Sequence, residues 1–250
     1  MSQSQAWTLK LDEQHIAWLH LDVPDKGANV LSQAVVQALG KKLDEIEQSD
    51  AKGLVILSDK KAGFVAGADV EEFTHIKTAD EAKAVIQTAH DVFNRLEALN
   101  IPTLALIHGH ALGGGLELAL ACDYRIAEEG ASLGFPEVML GIFPGFGGSV
   151  RSTRLIGVQH AMTMMLTGRP VPAKRARRMG LVDAAVPERQ LKRAAVQTLA
   201  AAKAHRVYPS AWKEKVLQSK FGRRAVAWWL RKQTATRVND KHYPAPFALI

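Results

Sequence analysis

Apolar and polar residues alternate over Trp7 to Leu11 and again over Ile16 to Leu21, on either side of Asp12-Glu13-Gln14. A period of two with a polar break predicts two strands joined as a β-hairpin. The period then changes. From Asn29 to Gln48 the apolar residues Leu31, Val35, Leu39, Leu43 and Ile46 recur at helical spacing. Leu54 to Leu57 is a compact apolar run of the kind a buried strand requires. Ala82 to Leu99 reads as a second amphipathic helix, Pro102 to Ile107 as a strand, and Gly115 to Ala121 as a helix emerging from Gly113-Gly114-Gly115. Beyond Pro144-Gly145-Phe146-Gly147-Gly148 the pattern is almost wholly helical, through Ala161 to Leu166, Ala173 to Met179, Glu188 to Lys203 and Arg224 to Val238. These elements predict an α/β fold with its β-rich part first. A soft boundary near Pro187 divides a core over 1–187 from a helical C-terminal region and connector over 188–250.

Composition narrows the class. At 250 residues, 47% hydrophobic and 23% charged, the chain is long enough to bury a full core. Cys122 is the only cysteine, which excludes an internal disulfide and fits a reducing compartment. The first ten residues lack the apolar stretch of a secretory signal, and no apolar run reaches the ~20 residues of a membrane helix. The expectation is a cytoplasmic protein with no membrane span. Charge is divided unevenly: residues 1–150 carry 11 Lys/Arg and 21 Asp/Glu, residues 151–250 carry 21 and 4. Lys174-Arg175-Ala176-Arg177-Arg178 is the densest cluster, yet no zinc finger, ribonucleoprotein motif or stacking platform accompanies it. Each of these charges reads singly as a solvated helical face. The block as a whole points to a partner protein or a polyphosphate-bearing small molecule rather than to nucleic acid.

Several chemistries lack their residues. Gly113-Gly114-Gly115 and Gly145-Phe146-Gly147-Gly148 do not complete Gly-x-Gly-x-x-Gly, and neither a Gly-Lys-Ser/Thr loop nor a Gly-x-Ser-x-Gly elbow is present. His108 and His110 have the spacing of two metal ligands on an extended segment, but no carboxylate-rich motif accompanies them, and they read as ordinary loop histidines. Met162, Met164 and Met165 read as core filling. What remains is Glu117, which closes Ala111-Leu112-Gly113-Gly114-Gly115-Leu116-Glu117, and Glu137, fixed behind Phe135-Pro136. Two carboxylates around one substrate can divide acid and base duties. Glycines at a helix start leave N–H groups free at the positive end of the helix dipole, the makings of an oxyanion hole. A second donor is expected from the small-residue loop around Ala66-Gly67-Ala68.

Phe64-Val65-Ala66-Gly67-Ala68-Asp69, Ala111 to Ala119, Cys122-Asp123-Tyr124-Arg125, Phe135-Pro136-Glu137, Gly141 to Gly148 with Arg151, and Met179-Gly180-Leu181-Val182-Asp183 together resemble the enoyl-CoA hydratase/isomerase (crotonase) superfamily, in matching order from about residue 6 to residue 205. The resemblance implies a spiral of ββα units followed by a helical C-terminal region. It implies that the N–H groups of Ala68 and Gly114 bind the thioester oxygen of a coenzyme A substrate, and that the loop near Ala66 receives the adenine end. Ala66, Gly67, Asp69, Gly113 and Gly145 are the further substrate-binding candidates. Carried over from the hydratases, Glu117 activates water for attack at Cβ and Glu137 delivers a proton to Cα. No metal and no separate cofactor is implied, coenzyme A being part of the substrate. The alternatives are a Δ3-Δ2 enoyl-CoA isomerase and a catalytically idle fragment that binds acyl-CoA or a thiolase.

Pro144 to Arg151, Leu166-Thr167-Gly168-Arg169 and His242-Tyr243-Pro244-Ala245-Pro246-Phe247 look more narrowly like the hydratase part of multifunctional fatty acid oxidation α subunits. Stand-alone hydratases imply a homo-oligomer, usually a trimer, whereas the α subunits imply a thiolase β subunit as partner. Trp228 and Trp229 are expected to pack back over the active site, with exposure and self-association as the other outcome.

Overall fold

The computed structural model describes residues 5–205, 219–236 and 244–250. The N-terminal alternation becomes β1 (Trp7–Leu11) and β2 (Ile16–Leu21), antiparallel, with Trp7 opposite Leu21 and Leu11 opposite Ala17. Every later strand of this sheet is added in parallel, which requires a crossover each time. The first is α1 (Gln33–Glu47), started by Ser32, whose hydroxyl accepts from the Val35 N–H; its Val35, Val36, Leu39, Leu43 and Ile46 are buried. It leads to β3 (Gly53–Ser58). The short α2 (Val70–Phe73) and the longer α3 (Ala79–Glu97), capped by Thr78, lead to β4 (Thr103–Ile107).

From there β5 (His110–Leu112) and α4 (Gly114–Leu120) lead to β6 (Tyr124–Glu128), and β7 (Ser132–Gly134) and a 3₁₀ turn at Pro136–Leu140 follow. Next come α5 (Gly148–Thr167), β8 (Val171–Pro172), α6 (Ala173–Met179) and β9 (Ala184–Val186). A 3₁₀ turn at Glu188–Gln190 precedes α7 (Leu191–Ala201), and α8 (Lys220–Ala235) and α9 (Ala245–Leu249) end the described chain. The main sheet runs β1-β2-β3-β4-β6-β9; a smaller one runs β5-β7-β8.

All positions of β3 and β4 are buried because the sheet is covered on both sides. Leu54, Ile56, Ala105 and Ile107 join the large core shared with α1 and α3. Val55, Leu57, Leu104 and Leu106 form a second core with Ala195 and Leu199 of α7. Thus α7, although beyond the expected boundary at 187, packs on β4 and β6.

The C-terminal portion corrects the sequence reading. Beyond Gly148 the chain is not wholly helical: β8 pairs with β7, and β9 forms an edge of the main sheet. Two or three residues are too few to show a period. The helix read over Ala161 to Leu166 is the end of α5, two helical pieces merged across a break at Gly157 (φ 77°, ψ 159°). The segment read as helical from Glu188 to Lys203 begins as a 3₁₀ turn and its α-helix ends at Ala201. Val238, His242 and Tyr243 lie outside the described residues.

Candidate active site

The site is assembled by strand pairing between segments far apart in sequence. The N–H groups of Phe64 and Val65 donate to the carbonyls of His108 and His110 at 2.9 and 3.1 Å, and the Leu112 N–H donates to the Val65 carbonyl at 3.0 Å. The 64–66 loop therefore runs parallel to β5, with Val65 bridged to Ala111. A few residues further along both chains, Ala68 arrives beside Gly114: a Cβ placed on Gly114 would lie 3.2 Å from the Ala68 nitrogen. Around Ala68, the Leu31 N–H bonds to the Gly67 carbonyl and the Asp69 N–H to the Leu31 carbonyl. Beside Gly114, the Gly113 N–H is taken by the Gly134 carbonyl at 2.9 Å. The N–H groups of Ala68 and Gly114 have no such acceptor among the described residues. Gly114 is the first residue of α4, where an N–H has no intrahelical partner and faces outward from the positive end of the helix.

Glu117 sits one turn into the same helix, 2% exposed, and its Oε1 accepts from the backbone N–H groups of Phe146 and Gly148 at 2.8 and 2.7 Å. Both donors fall on Oε1, and Oε2 has no hydrogen-bond donor among the described residues. A Cβ on Gly148 would come 2.6 Å from the Glu117 Cγ, so this close approach requires glycine. Glu137 comes from the 3₁₀ turn after Pro136; it is buried, and neither carboxylate oxygen has a hydrogen-bond partner among the described residues. Its Oε1 would lie 2.9 Å from a Cβ on Gly113, whose φ of 50° and ψ of −125° also exclude most side chains. The two carboxylates thus flank the start of α4.

Burial raises both of them: Glu137 to about 7, and Glu117 to about 8, the latter also by the charge of Glu137 and against the pull of its two N–H donors. An ordinary glutamate starts from 4.5. The charge of Glu137 is thus one of the causes that act on Glu117, so the protonation of one carboxyl bears on the other.

The remaining candidates separate. Gly67 is buried and Ala66 exposed in the loop that presents Ala68, and Gly113 backs Glu137. Gly145, half-buried, belongs to the loop that holds Glu117. Asp69 is instead engaged structurally: it caps α2 through the Glu71 N–H and lies 3.5 Å from Lys26 Nζ. His108 meets the Lys60 carbonyl and His110 the Ser132 hydroxyl, each at 2.8 Å. Among the described residues no group of three or more His, Cys, Asp and Glu is placed to hold a metal ion. Met162, Met164 and Met165 are buried in the core.

Asn29, Ser58, Asn94 and Glu97 support the site and gave no signal in the sequence, whereas Arg151 was part of the family resemblance. The buried Asn29 amide reaches the Leu21 carbonyl, the Ser58 hydroxyl and the Phe64 carbonyl, and Ser58 donates to the Gly63 carbonyl at 2.6 Å, so the pair pins the loop that carries Ala68. Arg151 bonds the Phe146 carbonyl and is held in turn by Asn94 and Glu97 of α3 at 2.7 and 2.8 Å, which fixes the loop whose N–H groups grip Glu117.

Residues 12–227 match the model of the enoyl-CoA hydratase/isomerase family. Among curated proteins, the fatty acid oxidation complex subunit alpha of Vibrio campbellii is 41% identical over 257 residues, covering 100% of this chain and 36% of the relative. The subunit of the same name from a Shewanella strain is 43% identical over 251 residues, covering 98% and 35%. The chain therefore spans about a third of the length of these relatives. Among solved structures, an enoyl-CoA hydratase from Bacillus anthracis is similar with TM-score 0.72 and 35% identity over 77% of this chain and 74% of that one. DspI of Pseudomonas aeruginosa reaches TM-score 0.73 at 28% identity, over 94% and 96%.

Proposed function

Given that this chain belongs to the enoyl-CoA hydratase/isomerase family and has its crotonase-like fold, we propose that it adds water across the double bond of trans-2-enoyl-CoA to give 3-hydroxyacyl-CoA in fatty acid β-oxidation. One observation carries this reading: two buried carboxylates flank the helix start whose Gly114 N–H lies beside that of Ala68. Coenzyme A enters as part of the substrate. Its thioester oxygen accepts from the Ala68 and Gly114 N–H groups, which polarises the conjugated double bond. Glu117, ionised and with Oε1 held, takes a proton from water through Oε2 as the water oxygen bonds to Cβ. The electron pair of the double bond moves onto the thioester as an enolate, the species the two N–H groups stabilise most. Glu117 is raised to about 8 in part by the charge of an ionised Glu137, a contribution that vanishes once Glu137 is neutral; with two N–H donors on Glu117 and none from another residue on Glu137, the single proton of the active state resides on Glu137, which gives it to Cα. Proton exchange between the two carboxyls restores the starting state.

Isomerisation of a Δ3-enoyl-CoA to the Δ2 isomer is the second reading, favoured by the partnerless Glu137 carboxyl, which is free to carry a proton between Cα and Cγ. Incubation of the purified chain with trans-2- and 3-enoyl-CoA, followed by mass analysis, separates the two. Gain of one water by the 2-enoyl substrate is the expected result. Conversion of the 3-enoyl substrate with no gain of water from either would overturn hydration.

A further inference from the structure

The outer ridge of α8 has no place in the site. Phe221, Trp228 and Trp229 are 82%, 66% and 49% exposed. Spacings of seven and eight residues put them on one side of the helix. The opposite side is the one that packs: Thr234 is buried, and Leu230 lies against the main core. The expectation that the two tryptophans fold back over the active site is therefore corrected. They line, with Lys232, Gln233 and Thr236, an open hollow of about 450 Å³.

The charges around this ridge are of one sign. From Lys220 to Ala235 the sequence has five Lys/Arg and no Asp or Glu. Arg223, Arg224, Arg231 and Lys232 are exposed, and none of the four is in an ion pair among the described residues. Lys232 Nζ stands 5.4 Å from the centre of the Trp228 ring. Three exposed aromatics cost free energy in water, and with unpaired cations beside them on the exposed part of the helix they match the chemistry of a lipid headgroup layer. Indole rings favour the headgroup level, where the body is apolar and the N–H is wet, and cations favour an anionic leaflet. Among the described residues no helix is long and apolar enough to cross a membrane.

We propose that α8 docks the protein on anionic phospholipid surfaces, with Phe221, Trp228 and Trp229 entering the headgroup layer and Arg224, Arg231 and Lys232 meeting lipid phosphates.

The test is co-sedimentation of the full chain with phosphatidylcholine vesicles and with vesicles that also contain phosphatidylglycerol, at low and high salt. Binding is expected to be stronger on the anionic vesicles by about tenfold or more and to weaken with salt. The Trp228→Ser/Trp229→Ser variant is expected to lose it while circular dichroism and enoyl-CoA turnover stay unchanged. Arg224→Gln/Arg231→Gln is expected to lose the preference for anionic lipid. Equal binding to both vesicle types, or anionic binding that survives the tryptophan changes, would overturn the proposal. So would absence of vesicle binding, and an oligomer that dissociates in the Trp228→Ser variant would then assign the ridge to an interface between copies.

Discussion

Glu137 is a carboxylate in a place that penalises its charge. Its folded-state value lies above the ordinary 4.5, at about 7, so the folded protein binds a proton that the unfolded chain releases. Stability contributed by the protonated group is complete below about 4.5 and is lost as pH rises through about 7. Glu137→Gln should therefore raise the melting temperature at pH 8 and leave it unchanged at pH 4, as read by calorimetry. Activity needs one proton on the pair. kcat/KM should follow a bell that falls below about 7, where both carboxyls are protonated, and above about 8, where both are ionised. A bell centred near the ordinary carboxylate range would contradict the shared-proton account. Gly114→Pro removes an N–H at a helix position that tolerates proline; turnover should fall by about 10²–10³ while circular dichroism is unchanged. Glu117 and Glu137 were legible in the sequence because each follows its own turn motif. Asn29, Ser58, Asn94 and Glu97 were not, because each has a partner more than 25 residues away, the Phe64 carbonyl and Ser58 hydroxyl for Asn29 and the Arg151 side chain for Asn94 and Glu97, and only the fold brings them together.

The elements that hold the site are few, and α3 links most of them. Phe93, fully buried on α3, meets Phe146 edge to face with centroids 6.0 Å apart, while Asn94 and Glu97 of the same helix hold Arg151. Phe93→Ala should cost about 3–5 kcal/mol in denaturant unfolding. Arg151→Lys should keep the charge but lose the forked contacts to Phe146, Asn94 and Glu97, lowering kcat more than it raises KM. Equal kinetics in the lysine variant would show that the loop holds Glu117 without help. Helices with a long apolar stripe, such as α1 and α3, were readable from spacing alone. The strands β5, β7, β8 and β9 were not, because two or three residues carry no period and their existence depends on partners supplied by the rest of the sheet.

Across the whole molecule, the uneven charge is the feature that sequence alone displays most fully. The 21 Lys/Arg and 4 Asp/Glu after residue 150 set up a field that favours a phosphate-bearing ligand. The KM for an enoyl-CoA should rise with ionic strength while kcat changes little; a salt-independent KM would assign these charges to a partner surface. For that partner, we propose either further copies of this chain or a thiolase subunit, and light scattering of the chain with and without thiolase separates the two. The loss of conjugated-enoyl absorbance should be followed when a trans-2-enoyl-CoA is mixed with the wild-type chain, with Glu117→Gln and with Glu137→Gln. Rapid loss in the wild type and rates lower by about 10²–10⁴ in each variant, with acyl-CoA still bound, is the predicted result. Near-normal turnover in either variant would contradict the division of labour between the two carboxylates.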